Sequence, residues 1–176
     1  LKTSLRNDVA VTPLMATAAR GDVEATTLLL KHGANPDQST KKYYRYAINY
    51  AAEQEFISIM RVLLGRPPDE ESPVTVVVDL SQQRAYLSQF GKRIDSTTVS
   101  TGREGFSTPA GHYVVTDKHA EWTSTLYHVA MPWFMRINCS AIGLHAGYVT
   151  GEPASHGCIR LPYDKVKKWF GIVKVG

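Results

Sequence analysis

Residues 145–162 read HAGYVTGEPASHGCIRLP, which places Cys158, one of two cysteines in the chain, directly after a histidine and a glycine. A cysteine sulfur is nucleophilic only as a thiolate, so it needs a base, a positive electrostatic environment, or both. His145 lies thirteen residues upstream, at the end of the apolar run AIGLH. That run predicts a strand, and the following Gly- and Pro-containing loop predicts a return of the chain toward Cys158. The pattern favours His145 as the base.

The residues next to the cysteine predict a turn that approaches a bound molecule. Gly157 allows the backbone to come close to a substrate, and successive N–H groups of Gly157 and Cys158, in a turn running toward a helix, can hold an anion. His156 is adjacent in sequence, but the side chains of neighbouring residues usually point apart. Other interpretations stay open at this point: a buried structural thiol, a disulfide with Cys139, and a metal site of His145, His156 and Cys158 for which no fourth ligand is evident.

Outward from this stretch, apolar residues alternate with a period of two, which predicts strands. TVVVDLSQQRAYLSQFGKRIDSTTVSTG (75–102) predicts a strand, a turn at 81–83, a return strand and a further strand near 97–100. GHYVVTDK (111–118) and SAIGLHAG (140–147) predict two more strands, and only PYDKVKKWFG (162–171) has a helical pattern. Residues 74–176 are therefore expected to form a mainly β domain.

The first part of the chain has a helical period and an internal repeat. TPLMATAARGDVEATTLLLKHGANPD (12–37) predicts two short helices that meet at Gly21, and YAINYAAEQEFISIMRVLLG (46–65) is a second, more degenerate copy shifted by 34 residues. The helical pattern stops in the Pro- and acid-rich stretch LLGRPPDEESP (63–73). We therefore expect helical repeats over residues 1–66, a linker over 67–73 and the β domain over 74–176.

The first copy closely resembles an ankyrin repeat in its TPL opening, its GDVEA turn and its LLLKHGANPD close. Met15 replaces the usual histidine of that family, and Glu55 in the second copy replaces the usual glycine. A repeat stack normally needs about three units to bury its apolar faces. The pair is therefore expected either to dock on the remaining chain or to end a longer array, and its role is either packing or binding of a protein partner.

Composition limits the classes of function. The chain has 176 residues with 43% hydrophobic and 20% charged residues, and no apolar run approaches the roughly 18 residues of a transmembrane helix. All of the +4 net charge arises after residue 72, where eleven basic residues face seven acidic ones. Those basic residues are scattered apart from KVKK (165–168), so nucleic acid is not expected as a partner, whereas a mildly anionic polymer fits. The start, LKTSLRNDVAVTP, has neither an initiator Met nor an apolar export signal, which leaves export open.

HAGYVTGEPASHGCIRLP strongly resembles the signature of L,D-transpeptidases of the YkuD type, in which a histidine and a variable loop precede Ser/Thr-His-Gly-Cys. STGREGFSTPAGHYVV (100–115) resembles the TPxG segment of that family, and MPWFMRI (131–137) resembles the stretch that leads into its histidine strand. The segments follow in consistent order over residues 73–176, although the loop from His145 to Ser155 is shorter than in the best-known family pattern. The resemblance implies an L,D-transpeptidase-type β-sandwich after the ankyrin-like helical repeat pair.

The resemblance also implies roles for individual residues. Cys158 would attack an acyl carbonyl, His145 would accept the thiol proton, and the backbone carbonyl of Ala146 would orient the imidazole. N–H groups of Gly157 and Cys158, together with His156, would hold the oxyanion. The residues expected to line the substrate site are Ser155, Arg160, Ala146, Tyr148 and Trp133, of which Arg160 suits a substrate carboxylate or, alternatively, a structural ion pair.

The expected activity is transfer of a peptidoglycan stem peptide to an amine through a thioester on Cys158, without a metal or organic cofactor. It would contribute to cell-wall biogenesis and cell shape, with carbapenems as acylating inhibitors. With water as the acceptor, the same site is an L,D-carboxypeptidase. The alternative from another class is an ankyrin-type interaction protein whose β domain is an inactive scaffold. A wall substrate implies a periplasmic or exported location.

Overall fold

The computed structural model describes residues 9–69 and 73–176. Residues 1–8 of the expected repeat domain and 70–72 of the expected linker lie outside the described residues. One compact unit contains the residues up to 69 together with 112–114 and 176, and the other contains residues 73–111 and 115–175. Within the described ranges, no helix is both long and apolar enough to cross a bilayer.

The first unit contains two helical hairpins. They consist of α1 (Pro13–Arg20), α2 (Val23–Lys31), α3 (Ala47–Glu53) and α4 (Ile57–Leu63). Thr12 caps α1, accepting a hydrogen bond from the Met15 N–H at 3.2 Å, and Pro13 occupies the first helical turn, where its missing N–H costs nothing. The second pair repeats the first: α3 begins 34 residues after α1, and α4 begins 34 residues after α2.

Each hairpin turns through a left-handed residue. Gly21 ends α1 with φ +75°, and the equivalent position of the second hairpin, Glu55, has φ +56°. A Cβ atom disfavours that conformation by about 1–2 kcal/mol. The Glu in place of the usual glycine therefore leaves the turn geometry unchanged but makes the second hairpin less favourable.

Apolar residues at helical spacing form the core of this unit. Fully buried side chains from α1 and α3 meet those of α4, which explains why the helices pack despite their length of only seven to nine residues. The buried set is Leu14, Met15, Ala18, Ala47, Tyr50, Ala51, Ile59, Met60 and Val114.

The second unit begins with an antiparallel sheet of three consecutive strands. They are β1 (Val74–Asp79), β2 (Arg84–Gln89) and β3 (Lys92–Thr98), in the order β1-β2-β3. Phe90 and Gly91, both with positive φ, join β2 to β3 in a two-residue turn whose twist suits a hairpin. The third strand begins at Lys92, earlier than the expected 97–100, because its first part is exposed and polar and so lacks an apolar alternation.

A four-stranded sheet includes parts of the 145–162 stretch. Its strands are β4 (Val115–His119), β5 (Phe134–Ile137), β6 (Gly143–Ala146) and β7 (Ile159–Leu161), in the order β4-β5-β6-β7, with β6 and β7 parallel. The turn that ends at Cys158 runs into strand β7, not into the expected helix. The helix α5 (Tyr163–Ile172) starts after it and buries Val166 and Trp169, while Phe170 stays partly exposed.

Candidate active site

The parallel pairing of β6 and β7 brings the predicted histidine and cysteine to one cavity. His145 is the register partner of Arg160. Cys158 lies two residues before Arg160, in the turn that leads into β7. His145, Cys158 and Arg160 all line the same open cavity of about 400 Å³.

The His145 imidazole is fixed in one orientation. The side chain is only 6% exposed, and Nδ1 lies 2.7 Å from the backbone oxygen of Ala146, to which it can only donate. That contact leaves Nε2 as the acceptor of the neutral ring. Burial lowers the pKa of His145 below its usual value, the Arg160 charge acts in the same direction, and the bond to Ala146 opposes them.

The Cys158 thiol is half-buried. Its Sγ donates to the backbone oxygen of Ala141 at 3.7 Å and makes no hydrogen bond to His145. Burial raises the pKa of the thiol above its ordinary value, while the Gly143 N–H and the charges of Arg160 and Arg136 oppose that rise. Both groups are thus neutral near pH 7.

Ser155 organises the turn before the cysteine. Its hydroxyl donates to the backbone oxygen of Cys158 at 2.6 Å and accepts from the Gly157 N–H at 3.1 Å. Gly157 adopts φ +111°, which favours glycine, and its carbonyl accepts from Thr108 Oγ1 at 2.7 Å. In this structure the Gly157 N–H is therefore engaged with Ser155.

Three of the residues expected to line the substrate site do not line the cavity. Ala146 is buried, and its backbone oxygen contacts the His145 ring. Tyr148 is 81% exposed and does not line the cavity. Trp133 also lies outside the cavity wall and packs edge-on against Tyr163 and Phe170 at ring distances of 6.3 and 5.3 Å.

Arg160 and His156 do line the cavity. Among the described residues the Arg160 guanidinium has no ion pair, so the alternative of a structural ion pair finds no partner there. His156 is bound through Nε2 to Arg103 Nη2 at 2.8 Å.

Sequence reasoning missed much of the cavity wall, because most of it comes from the irregular segment 122–129, which no motif marks. It also gave no role to Arg136, which lies in the MPWFMRI stretch. The Arg136 Nε donates to Asp117 at 2.8 Å, and its guanidinium lies about 5.0 Å from the ring centres of Trp122 and Phe134. Tyr127 also lines the cavity and is 46% exposed. The apolar lining comprises Trp122, Leu126, Tyr127, Val129, Met131, Ala141 and Ile142.

The described residues form neither a disulfide nor a cluster of metal ligands. Cys139 and Cys158 are both free thiols. Within residues 9–69 and 73–176, no three His, Cys, Asp or Glu side chains are grouped to hold a metal ion.

Comparison with solved structures gives the class of fold. The chain is similar to an L,D-transpeptidase from Stackebrandtia nassauensis (20% identity, 97% of this chain and 94% of that one, TM-score 0.56). It is also similar to an Enterococcus faecium L,D-transpeptidase mutant (25% identity, 62% and 49%, 0.51). A third similar structure is L,D-transpeptidase 3 from Mycobacterium tuberculosis in complex with a faropenem-derived adduct (21%, 58% and 57%, 0.54). The chain thus spans about half the length of the last two. The fold is that of L,D-transpeptidase domains.

The family follows from the sequence match. Residues 73–176 match the L,D-transpeptidase catalytic domain family, YkuD, and the chain belongs to that family. Residues 11–41 match the ankyrin repeat. The predicted fold class, ankyrin-like helices followed by an L,D-transpeptidase-type β domain, is confirmed. No curated protein sequence matches the chain at a significant level.

Proposed function

We propose that the chain is a cysteine-dependent L,D-transpeptidase that transfers a peptidoglycan stem peptide to an amine through a thioester on Cys158. The observation that carries this proposal is that His145 on β6 and Cys158, in the turn that enters the adjoining parallel strand β7, line one cavity. Family membership supports the class of substrate.

The first step uses the two neutral groups. The thiol rotates from the Ala141 oxygen toward His145 Nε2, which accepts its proton as Sγ bonds to the carbonyl carbon before the terminal D-residue. The oxyanion that forms is stabilised by backbone N–H groups at Cys158 and Gly157, the latter after leaving Ser155 Oγ. The imidazolium then donates its proton to the departing amine, the carbon–nitrogen bond breaks, and a thioester remains.

The second step reverses the first with a new amine. The acceptor attacks the thioester carbonyl and gives a proton to His145, the carbon–sulfur bond breaks, and the sulfur takes the proton back. When water replaces the amine, the same sequence releases a shortened stem, which is the carboxypeptidase alternative. The Arg160 guanidinium, which forms no ion pair with the residues that the structure describes, lines the cavity and fits a carboxylate of the stem.

Intact-mass measurement tests this mechanism directly. The full chain incubated with a tetrapeptide stem, or with a carbapenem as an acylating probe, is expected to gain one acyl mass. Cys158→Ala is expected to gain none, and Cys139→Ala, the matched control, is expected to react like the wild type. An unmodified wild type, or an adduct that persists in Cys158→Ala, contradicts the proposal and favours an inactive scaffold.

The product separates transfer from hydrolysis. With the tetrapeptide and an added D-amino acid, a transpeptidase yields the exchanged tetrapeptide, whereas a carboxypeptidase yields only the tripeptide. Mass spectrometry of the peptide products distinguishes the two.

A second activity, binding of a protein partner by the helical unit, is supported by the loop after α2. Hydrogen bonds between Thr40 and Arg45 close this loop, and its tip exposes Tyr43 (52%) and Tyr44 (73%). Exposed tyrosines held on a fixed loop are typical of interfaces. We expect a pull-down with the full chain to recover a partner that the Tyr43→Ser, Tyr44→Ser double variant does not, while acylation of Cys158 is unchanged. Equal recovery by both proteins would favour a packing role.

A further inference from the structure

Residues 100–108 form a support for the turn that carries the cysteine. The N–H groups of Ala154 and Ser155 both donate to the Thr101 oxygen at 2.9 Å, and the Arg103 N–H donates to the Ser155 oxygen at 3.0 Å. Gly102 is needed there, because a Cβ at this position would lie 2.0 Å from the Phe106 oxygen. The support therefore holds the backbone of Arg103 in a fixed place beside the turn.

From that place, Arg103 contacts the ring of His156. Its Nη2 lies 2.8 Å from His156 Nε2. A guanidinium offers donors and no acceptor, so Nε2 must be the acceptor and must lack a proton. The contact therefore describes a neutral His156 with its proton on Nδ1.

Aromatic contacts hold the same ring from other sides. Phe106 meets it edge-on with ring centres 4.8 Å apart, and Tyr127 lies at 4.5 Å. The Arg103 guanidinium also covers Phe106, 5.0 Å from its ring centre. Since His156 lines the cavity that contains Cys158, its Nδ1–H is the ring donor that remains for a ligand in that cavity.

We propose that Arg103 is a positioning residue for acyl transfer: it fixes His156 in the Nδ1–H tautomer, so that this ring donates a hydrogen bond to the acyl group bound at Cys158. The catalytic part of this inference rests on the proposed function. The tautomer does not, because it is a property of the free protein.

The test combines nitrogen NMR of the free protein with acylation kinetics. In the wild type, ¹⁵N shifts of His156 are expected to show the proton on Nδ1, with assignment from the His156→Gln spectrum. In Arg103→Met, which keeps an apolar stem beside Phe106, the ring is expected to show a mixture of tautomers. The maximal rate of acylation by a carbapenem is expected to fall about tenfold, because the ring donates to the acyl group only in those molecules that keep the proton on Nδ1. The half-saturating carbapenem concentration is expected to change much less.

Arg103→Lys and Arg93→Met serve as controls. Lys keeps a charged donor, so it is expected to restore the tautomer and most of the rate. Arg93 lies on β3 with its guanidinium 4.1 Å from the Tyr86 ring centre, so Arg93→Met removes a similar charge and ring contact outside the cavity. It is expected to react like the wild type.

Several results would overturn the inference. A His156 proton on Nε2 in the wild type would do so even if no Arg103 variant could be purified. The inference would also be overturned if Arg103→Met were acylated at the wild-type rate. The same holds if Arg103→Lys and Arg103→Met lost the acylation rate equally without a change of the His156 tautomer. If the wild type shows the Nδ1–H tautomer but is never acylated, the proposed function fails and the donor role fails with it, whereas the Arg103–His156 contact stands.

Discussion

The protonation states of Cys158 and His145 decide how the proposed reaction begins. Burial raises the pKa of the thiol and lowers the pKa of the imidazole, so the resting pair is neutral and no thiolate–imidazolium pair is preformed. His145 must then act as a general base during attack. A neutral resting thiol reacts slowly with simple alkylating agents, because those reagents require the thiolate.

The acylation rate should follow the titration of His145. The rate is expected to rise with pH as the ring loses its proton and to reach a plateau with a midpoint below 6.5, since the pKa is lowered from that value. Alkylation by iodoacetamide, in contrast, is expected to keep rising above pH 9 as the Cys158 thiol ionises. Intact-mass time courses measure both rates, and Cys158→Ala corrects for Cys139. Thiolate absorbance from Cys158 at pH 6 would contradict the neutral pair.

At the residue scale, sequence reasoning named Cys158, His145, Ser155 and Arg160 as site residues, and all four line one cavity. It cannot anticipate that Trp133 faces α5, because a positive φ of 59° redirects that side chain and no local pattern encodes it. It also misses Arg103. That residue reaches His156 only because the 100–108 segment folds back on the turn, which is a long-range contact.

At the scale of elements, one carboxylate joins β3 to α5. Asp95 accepts from Lys165 at 2.6 Å, and from Lys168 and the Trp169 indole at 3.1 Å each. Its side chain is 10% exposed, and burial alone would favour the neutral acid. These hydrogen bonds outweigh burial and hold the pKa of the Asp95 carboxyl well below its usual range.

Asp95→Asn should destabilise the second unit, which contains both sheets, by about 2–3 kcal/mol at pH 7, because charged hydrogen bonds to a buried acceptor are lost. The native pKa is depressed, so the wild-type advantage is full above about pH 4, the unfolded value, and declines as pH falls toward the native pKa. All three tryptophans lie in this unit, so urea unfolding followed by tryptophan fluorescence at pH 7 and pH 3 reports it. A difference between the two proteins that is as large at pH 3 as at pH 7 would contradict the ionised state.

Gly143→Ala should also weaken the strand pair that carries the site. A Cβ at Gly143 would lie 2.5 Å from the Met135 oxygen, a backbone atom that cannot move without disturbing β5. We expect overpacking to lower the free energy of unfolding by about 1–3 kcal/mol. We also expect slower acylation, because the Gly143 N–H lowers the pKa of the Cys158 thiol and a shift of this strand would weaken that effect. The matched control is Gly171→Ala in α5, where nothing lies within 4 Å and the helix should gain slightly. Equal urea midpoints for the two variants would contradict the packing argument.

The elements themselves were predictable to different degrees. The helical hairpins follow from capping residues and a 3.6-residue period, so the 34-residue shift in sequence reappears in the helix starts. The strand β7 was not anticipated because it has only three residues, Ile159–Leu161, and is defined by its pairing with β6. Short strands of this kind depend on their neighbours more than on local alternation.

On the scale of the whole molecule, the two parts of the chain differ in net charge. The net charge of +4 arises entirely after residue 72, in the segment that matches the catalytic family. A cationic catalytic domain is attracted to the carboxylates of a peptidoglycan polymer, and that attraction operates over a distance set by salt.

The full chain is therefore expected to sediment with purified peptidoglycan at about 0.05 M NaCl and to be released at about 0.5 M, where screening confines the attraction to a few ångströms. Cys158→Ala should sediment equally, because this retention is electrostatic and needs no thioester. Lys167→Glu, an exposed site on α5, changes the net charge by two and should lower the salt concentration needed for release. Protein in the pellet and supernatant is measured by gel densitometry. If salt does not alter the wild-type distribution, contacts in the cavity, and not the charge excess, hold the chain on the polymer.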